Sequence, residues 1–471
     1  MEAKIFFGST EATKENKNER RSPYNGEVVS VSPVCDAADA HKALQIAHKA
    51  ARFTKQSTLS QRCNWLLDVA RKLRENKEDI AKTITDEVGK PIAFSRVEVE
   101  RCIETVTLSA ETMRTMGGET INTDAMNSGK KTLALFRREP VGVVVAITPF
   151  NFPLNLVAHK LAPALVAGNA VVLKPTPEAP LTAYKFAKLF IESEYAIADA
   201  LSVVYGDAEV GSALVSSNIP RVVSFTGSVP VGNIITKSAG IKKVSLELGG
   251  NAATFIEKSA DLALAATKCA LGAFVNSGQV CISLQRIYVQ EEIYDEFAEL
   301  MAHATKKLVV GSPYEDETFM GPLIDDASAA RAMRWVESAI DEGAIPLLVP
   351  RLEGRVFYPC VMANVRDDMA IVCEEVFAPI VSLVKVESFD EAAQKMNDSP
   401  YGLQFSVFTN DLIITQRAID ELEAGGVVIN DMPTLRFDIQ PYGGVKHSGV
   451  GREGPKYAIE EMTEIKSIVI C

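Results

Sequence analysis

Three side chains in this sequence have the types and settings that acyl-transfer chemistry needs. Cys281 ends the segment Asn276-Ser277-Gly278-Gln279-Val280-Cys281, a small, glycine-containing turn after a run of helical spacing. A thiol with that access is a strong nucleophile once deprotonated. Glu247 lies in Leu246-Glu247-Leu248-Gly249-Gly250-Asn251, 34 residues before the cysteine and at the end of the strand-like run Val244-Ser245-Leu246. The two glycines let the backbone approach other groups closely, and a carboxylate there can take a proton from an attacking water. Asn151, in Thr148-Pro149-Phe150-Asn151-Phe152-Pro153, follows an apolar strand and sits between prolines that fix the chain direction. Its amide can donate to a developing oxyanion together with the Cys281 N–H, and one such donor is typically worth ~10²–10³ in rate. Taken singly, each residue has a plainer reading. Cys281 would be one more buried thiol, Glu247 a solvated loop acid, and Asn151 the cap of a helix starting at Pro153.

Other segments suit a nucleotide. Phe225-Thr226-Gly227-Ser228-Val229-Pro230-Val231-Gly232 reads as a strand, a glycine turn and a helix start, a setting for a pyrophosphate or ribose. It is not the Gly-x-Gly-x-x-Gly fingerprint, and alone it would be an ordinary βα turn. Lys174 ends a short apolar strand, and Glu374-Glu375-Val376-Phe377-Ala378-Pro379 lies far downstream, where paired acids alone would be surface charge.

In this order, the motifs resemble the aldehyde dehydrogenase superfamily, over nearly the whole chain. The resemblance implies that the Cys281 thiolate adds to an aldehyde carbon, that a thioester forms, and that Glu247 activates the water that hydrolyses it. Relatives that pass the acyl group to coenzyme A commonly lack this acid, so a free carboxylic acid is the implied product. It also implies NAD or NADP as cofactor, bound by Thr148, Pro149, Phe150, Lys174, Phe225, Thr226, Gly227, Ser228, Leu248, Gly249, Glu375 and Phe377. Of these, Lys174 would meet the adenosine ribose, and Glu375 and Phe377 the nicotinamide ribose and ring. NAD-selective relatives often place a glutamate three residues after the lysine; here that residue is Pro177 and the acid is Glu178, which leaves both cofactors open.

For the substrate, the resemblance points to Arg101, Phe152, Asn155, His159 and Arg436, within an entrance that also maps onto Leu156, Val275, Val280, Ile282 and Tyr442. Asn155, His159 and Arg436 make that entrance polar. Arg101 resembles an arginine that grips the anionic tail in non-phosphorylating glyceraldehyde-3-phosphate dehydrogenases, although the arginine those enzymes place before the cysteine is Val280 here. Arg101 could equally be a surface residue of Glu98-Val99-Glu100-Arg101, and His159 a packed helix residue. The segments 425–431 and 441–449 look like the lactaldehyde dehydrogenase branch, with His447 and Ser448 structural. A small polar, lactaldehyde-like aldehyde is therefore the leading expectation. A semialdehyde or glyceraldehyde 3-phosphate is the alternative, and a catalytically silent ligand-binding or structural relative a remote one.

The elements that must position these groups follow from periodicity. From Val141 onward, β-branched apolar runs (141–147, 170–174, 201–205, 221–225) alternate with helix-like stretches at 153–167, 181–193 and near Glu209, the signature of βαβ units and a parallel sheet covered on both faces. Residues 37–51 and 59–119 read as flanking helices, and 130–141 and 464–471 as alternating, extended ribbons that need a partner for their edges. With the resemblance, the expected architecture is two doubly wound, Rossmann-like α/β domains plus a β-ribbon oligomerisation arm. Residues 1–120 and 141–247 would bind NAD(P), 248–447 would carry the catalytic cysteine, and 121–140 with 457–471 would join a homodimer or homotetramer.

Composition sets the remaining expectations. A net charge of −12 provides no footprint for nucleic acid or an anionic membrane. With 47% hydrophobic and 23% charged residues the chain belongs among globular proteins. The N-terminus lacks the apolar core of a secretory signal, and the apolar run 141–161 is broken by Pro149, Pro153, Asn151, Asn155, His159 and Lys160, so no membrane span is expected. Eight scattered cysteines without a Cys-x-x-Cys pair suggest a reduced, cytoplasmic protein. Five histidines without ligand spacing indicate no metal site.

Overall fold

The computed structural model describes residues 1–471. Its first sheet is built on Val143–Ile147, whose five residues are all buried. β-branched side chains suit such a doubly covered strand. Five parallel strands run side by side in the order Leu201–Val203, Ala170–Lys174, Val143–Ile147, Val222–Thr226 and Lys243–Glu247. Ile5–Phe7 with Thr10–Ala12 extends one edge antiparallel, and Gly449–Val450 closes the other. The register aligns Ile147 with Lys174 and with Phe225, and Thr226 with Glu247. The carboxyl ends of these strands thus lie at one level, where open α/β sheets bind ligands.

The helices Asn155–Ala167, Pro180–Ile191, Ala208–Ser216 and Val229–Ala239 connect these strands. Every residue of Asn155–Ala167 is buried, because the helix is sandwiched between the sheet and the N-terminal helices. Those N-terminal helices are Ala37–Gln56, Leu59–Glu75, Lys77–Val88 and Ile92–Thr115. The last of them stops before Gly117-Gly118, and Glu119 already belongs to a strand, Glu119–Asn122. The helical reading through residue 119 therefore ran too far, since two consecutive glycines end a helix.

A second sheet has the order Ile345–Pro346, Cys360–Ala363, Ile380–Val386, Leu284–Gln290, Ala252–Ile256, Gln404–Phe408 and Gly426–Ile429. Only its first strand is antiparallel. The chain crosses from the end of one sheet at Glu247 to the start of the other at Ala252, and Cys281 lies just before Leu284–Gln290. Acid and thiol are thereby delivered to the seam between the sheets. A third, three-stranded sheet pairs Thr463–Ile470 with Leu133–Pro140 over eight positions, and Leu133–Pro140 with Glu119–Asn122. Residues 457–461 are helical, within Pro455–Glu461, so this ribbon begins at Thr463 rather than at 457. Pro455 at the helix start favours helix there, because its fixed φ suits the first turn. All eight cysteines are free thiols, and no helix is long and apolar enough to cross a membrane.

Candidate active site

A cavity of about 630 Å³ opens at the seam, and Cys281, Glu247 and Asn151 all line it. The chain reaches Cys281 through three consecutive left-handed residues, Asn276, Ser277 and Gly278, with φ of 51°, 56° and 72°. Such backbone is costly for non-glycine residues and persists where surrounding bonds over-determine it. Those bonds are present: Ser277 Oγ donates to the Gly321 carbonyl at 2.8 Å, and Gln279 Oε1 accepts from Ile324 N at 3.0 Å. A Cβ at Gly250 would collide with the Cys281 carbonyl oxygen, so the glycine lets the acid's loop close onto the thiol's loop. Cys281 Sγ lies 3.1 Å from Tyr442 Oη, and the Cys281 backbone N–H makes no hydrogen bond to a protein acceptor. Burial pushes the thiol's pKa up to about 12, against the lowering contact with Tyr442, so the resting form is the neutral thiol.

Glu247 is buried, and neither of its carboxyl oxygens has a hydrogen-bond partner. Burial first, and then the charge of Glu453, push its pKa well above the usual carboxylate range, against Arg436 and Lys160. Glu453 is the opposite case: burial would raise it, but Lys160, His159 and Arg436 outweigh burial and keep it ionised. Lys160 donates to it at 3.1 Å and Arg436 Nη2 at 3.2 Å. Two acids in one cluster are thus driven apart, one toward the neutral acid and one toward the carboxylate, the pattern expected of acid–base sites.

Asn151 does not cap the helix behind it. The cap position is Leu154, which offers no side-chain bond, and Asn151 Nδ2 instead donates to the Gln279 carbonyl at 3.0 Å, leaving its second N–H for a ligand. Pro149, Phe150, Thr226, Gly227, Ser228, Leu248, Gly249, Glu375 and Phe377 share the same cavity. Phe377 sits at φ 49° and meets Phe150 edge-on at 5.9 Å. A Cβ at Gly249 would collide with the Glu375 carboxyl, whose pKa burial pushes up to about 7 against a bond from Gly250 N at 3.0 Å. Thr148, Lys174 and Phe225 do not line this cavity. Phe225 belongs to the apolar core beneath Gly227, which corrects its expected contact with cofactor. Lys174 lies beside Gly211; burial depresses its pKa, against Glu178 and Asp207, and Thr176 Oγ1 donates to Glu178.

These residues suit a dinucleotide. The Thr148 and Thr226 hydroxyls are buried without partners, and the helix Val229–Ala239 starts at Ser228 with no side chain capping it. Free N–H groups at such a helix start are a binding place for phosphate or ribose oxygens.

At the other end, Arg101, Phe152, Asn155 and Arg436 line the cavity. His159 does not: it is 1% exposed, and its Nε2 is 3.0 Å from Asp438 Oδ1 and 3.2 Å from Arg436 Nη2. Its expected substrate contact is corrected to a support for the charged groups behind the wall, since the helix bearing it is buried all round. Asp438 was not foreseen. It accepts from Arg101 Nε and Nη2 at 2.9 and 2.8 Å, and Arg436 Nε is 3.5 Å away. Burial would raise its pKa, but His159 and Arg101 hold it far below the usual range. Arg436 also lies over the Tyr442 ring, 3.7 Å from its centroid. Lys90, Glu98 and Glu453 are further cavity residues that sequence reasoning missed. Only Glu98 carried a signal, its helical spacing of three from Arg101, which puts both on one helix face.

Comparison with known proteins agrees with this arrangement. The model of the aldehyde dehydrogenase family matches residues 10–468. A 3-sulfolactaldehyde dehydrogenase of Priestia aryabhattai is 43% identical, over 98% of this chain and 96% of that protein. A lactaldehyde dehydrogenase of Methanococcus aeolicus is 40% identical, over 96% and 97%. Among solved structures, the glyceraldehyde-3-phosphate dehydrogenase GapN of Methanocaldococcus jannaschii, complexed with NADP, superposes with a TM-score of 0.93 at 40% identity, covering 97% of this chain and 100% of that one. Aldehyde dehydrogenase 21 of Physcomitrella patens, in complex with the product succinate, superposes with a TM-score of 0.96 at 36% identity, covering 100% and 98%. With the family model spanning nearly every residue and the thiol, the acid and the nucleotide-shaped end in one cavity, this chain belongs to the aldehyde dehydrogenase family, and it is an NAD(P)-dependent enzyme of that family.

Proposed function

We propose that this enzyme oxidises a short, hydroxylated aldehyde carrying an anionic group at its far end, of the 3-sulfolactaldehyde or glyceraldehyde 3-phosphate kind, to the free acid. The carrying observation is the pair of arginines at the cavity's far wall. Arg101 and Arg436 flank Asp438, and each keeps Nη1 free of any protein hydrogen bond. Two such donors match the oxygens of a sulfonate, phosphate or carboxylate. A neutral lactaldehyde, the leading reading from sequence, remains the second reading, because one relative with that activity is 40% identical.

In the reaction, the Cys281 thiol releases its proton to solvent water in the cavity, and the sulfur forms a bond to the aldehyde carbon as the carbonyl π pair moves onto oxygen. The carbonyl oxygen becomes an oxyanion facing Asn151 Nδ2 and the Cys281 N–H. What a bound dinucleotide supplies is the two-electron oxidation that turns this adduct into a thioester. Glu247, once ionised, takes a proton from water as the water's oxygen attacks the thioester carbon, and the sulfur departs. On this reading residues 1–120 and 141–247 bind cofactor and 248–447 present the thiol. The ribbon of Glu119–Asn122, Leu133–Pro140 and Thr463–Ile470, whose edge strand exposes Ile465, Val469 and Ile470, associates with a second copy into a dimer or tetramer.

Arg101 is the cleaner probe of the substrate end, since Arg436 is also tied to Glu453 and Tyr442. Arg101→Gln is expected to raise KM for 3-sulfolactaldehyde and glyceraldehyde 3-phosphate by ~10–100-fold, the worth of one charge-assisted hydrogen bond, with kcat little changed. Lactaldehyde should shift less than ~10-fold. Equal KM shifts for all three aldehydes would remove the anionic tail from the assignment.

Both cofactors are expected to serve, with a preference below ~10³ in either direction, because no carboxylate stands at Pro177 and Lys174 remains to meet a 2′-phosphate. Glu178→Gln should raise kcat/KM with NADP relative to NAD by ~2–5-fold, as removal of one part-exposed like charge does. An unchanged ratio would place Glu178 away from the phosphate.

A further inference from the structure

We infer that Glu98 is a positioning residue for Asn151, holding the oxyanion donor at its distance from Cys281 through the backbone that follows it. This rests on the proposed reading of Asn151 as that donor. Glu98 stands on the helix Ile92–Thr115, 1% exposed, and is remote in sequence from everything it binds except Lys90. Its Oε1 accepts from Leu154 N at 2.9 Å and from Asn155 N at 3.1 Å. Those N–H groups open the helix Asn155–Ala167, whose own cap residue contributes no side-chain bond. A helix start buried without an acceptor is costly, and here the acceptor comes from another helix. Oε2 accepts from Lys90 Nζ, and that ammonium lies 3.9 Å from the ring centroid of Phe152, the residue after Asn151.

Asn151 is thus held from two sides. Its amide is tied to the Gln279 carbonyl, two residues before Cys281, and its backbone runs within three residues into the N–H groups bound by Glu98. Losing the second anchor frees the Phe152-Pro153-Leu154 segment to turn, and a shift of ~1 Å in a catalytic donor is enough to cost a large factor in rate. Glu98 touches no reacting atom; it acts through Asn151.

The test compares two variants that share a neutral Lys90 site and differ only in whether position 98 accepts a hydrogen bond. K90M/E98Q keeps an acceptor for Leu154 and Asn155, and K90M/E98M does not. Steady-state kinetics should place kcat of K90M/E98M ~10-fold below that of K90M/E98Q, with KM values within ~3-fold of each other. With N151A added to both, the gap should shrink below ~2-fold, because a residue acting through Asn151 has nothing left to position. A tenfold gap that persists beside N151A, or no gap at all while N151A is impaired, overturns the inference and leaves the oxyanion role of Asn151 standing. An N151A enzyme with full kcat removes that role and the inference together. Thermal unfolding of the four proteins separates helix stability from positioning. If K90M/E98M does not fold, E98D withdraws the carboxyl by one methylene in the otherwise native protein, and its loss of kcat should likewise vanish beside N151A.

Discussion

Replacing Cys281 with alanine is expected to lower the formation of reduced cofactor by at least ~10⁴-fold while cofactor affinity changes less than ~3-fold. The loss is large because no other thiol can take its place. Cys269 and Cys360 are buried in the second sheet's core, Cys102 is buried within the helix Ile92–Thr115, and Cys373 is exposed outside the cavity. Cofactor binding should survive because the residues shaping the nucleotide end, Thr226, Ser228 and Glu375 among them, do not depend on the sulfur for their geometry. Absorbance at 340 nm with an aldehyde panel measures the first quantity, and fluorescence titration with NADP or NAD the second. Turnover retained in the purified variant would exclude a covalent route through Cys281.

The second large effect is expected at Glu247. Glu247→Gln should give one equivalent of reduced cofactor per active site and then stall, with steady-state turnover down ~10²–10⁴-fold, since hydride removal precedes water activation. The variant should fold well: both Glu247 oxygens are buried and unpartnered, so exchanging the acid for an amide breaks no hydrogen bond. The sign of the pH dependence follows from the same burial. Glu247 is held protonated above the usual carboxylate range and Cys281 is pushed up to about 12, so the working forms of both become more abundant as pH rises. Wild-type kcat should therefore climb between pH 6 and 9, by up to ~10-fold per unit where one deprotonation limits the rate. In Glu247→Gln the slow steady-state rate should lose the part of that slope owed to the acid, while the burst keeps the part owed to the thiol. Stopped-flow traces across pH report both, and a flat wild-type profile would contradict the protonated resting acid.

How much of this was legible in one dimension depends on how far apart the interacting groups are. The α/β alternation, the glycines beside Glu247 and Cys281, and the turn at Thr226-Gly227-Ser228 are local, and local spacing reports backbone conformation directly. Cys281, Glu247 and Asn151 have plainer readings when taken singly, and it is the order of their short motifs along the chain, through the family resemblance it carries, that singles them out. The ribbon edges were misjudged by a few residues, because two glycines at 117–118 and a proline at 455 shift helix ends without altering the surrounding polarity pattern. The resemblance puts His159 at the entrance with a packed helix residue as the alternative, and a helix of nearly uniform apolarity gives no sign of which face is open to choose between them. Its imidazole turned out to meet Asp438, 279 positions away.

Only the tertiary structure could decide the charges. Asp438 joins Arg101 across 337 positions, and Glu98 reaches Leu154 across 56; neither pairing leaves a periodic trace. The raised pKa of Glu247 comes first from burial at the seam and then from Glu453, which arrives from the far end of the chain beside the strand Gly449–Val450. The chain's residue order, through the family resemblance it carries, is enough to expect a thiol, an acid and an amide to serve one reaction. Their pKa values and the cation pattern that selects a substrate come from desolvation and Coulomb fields, which depend on distance in space and not on position in sequence.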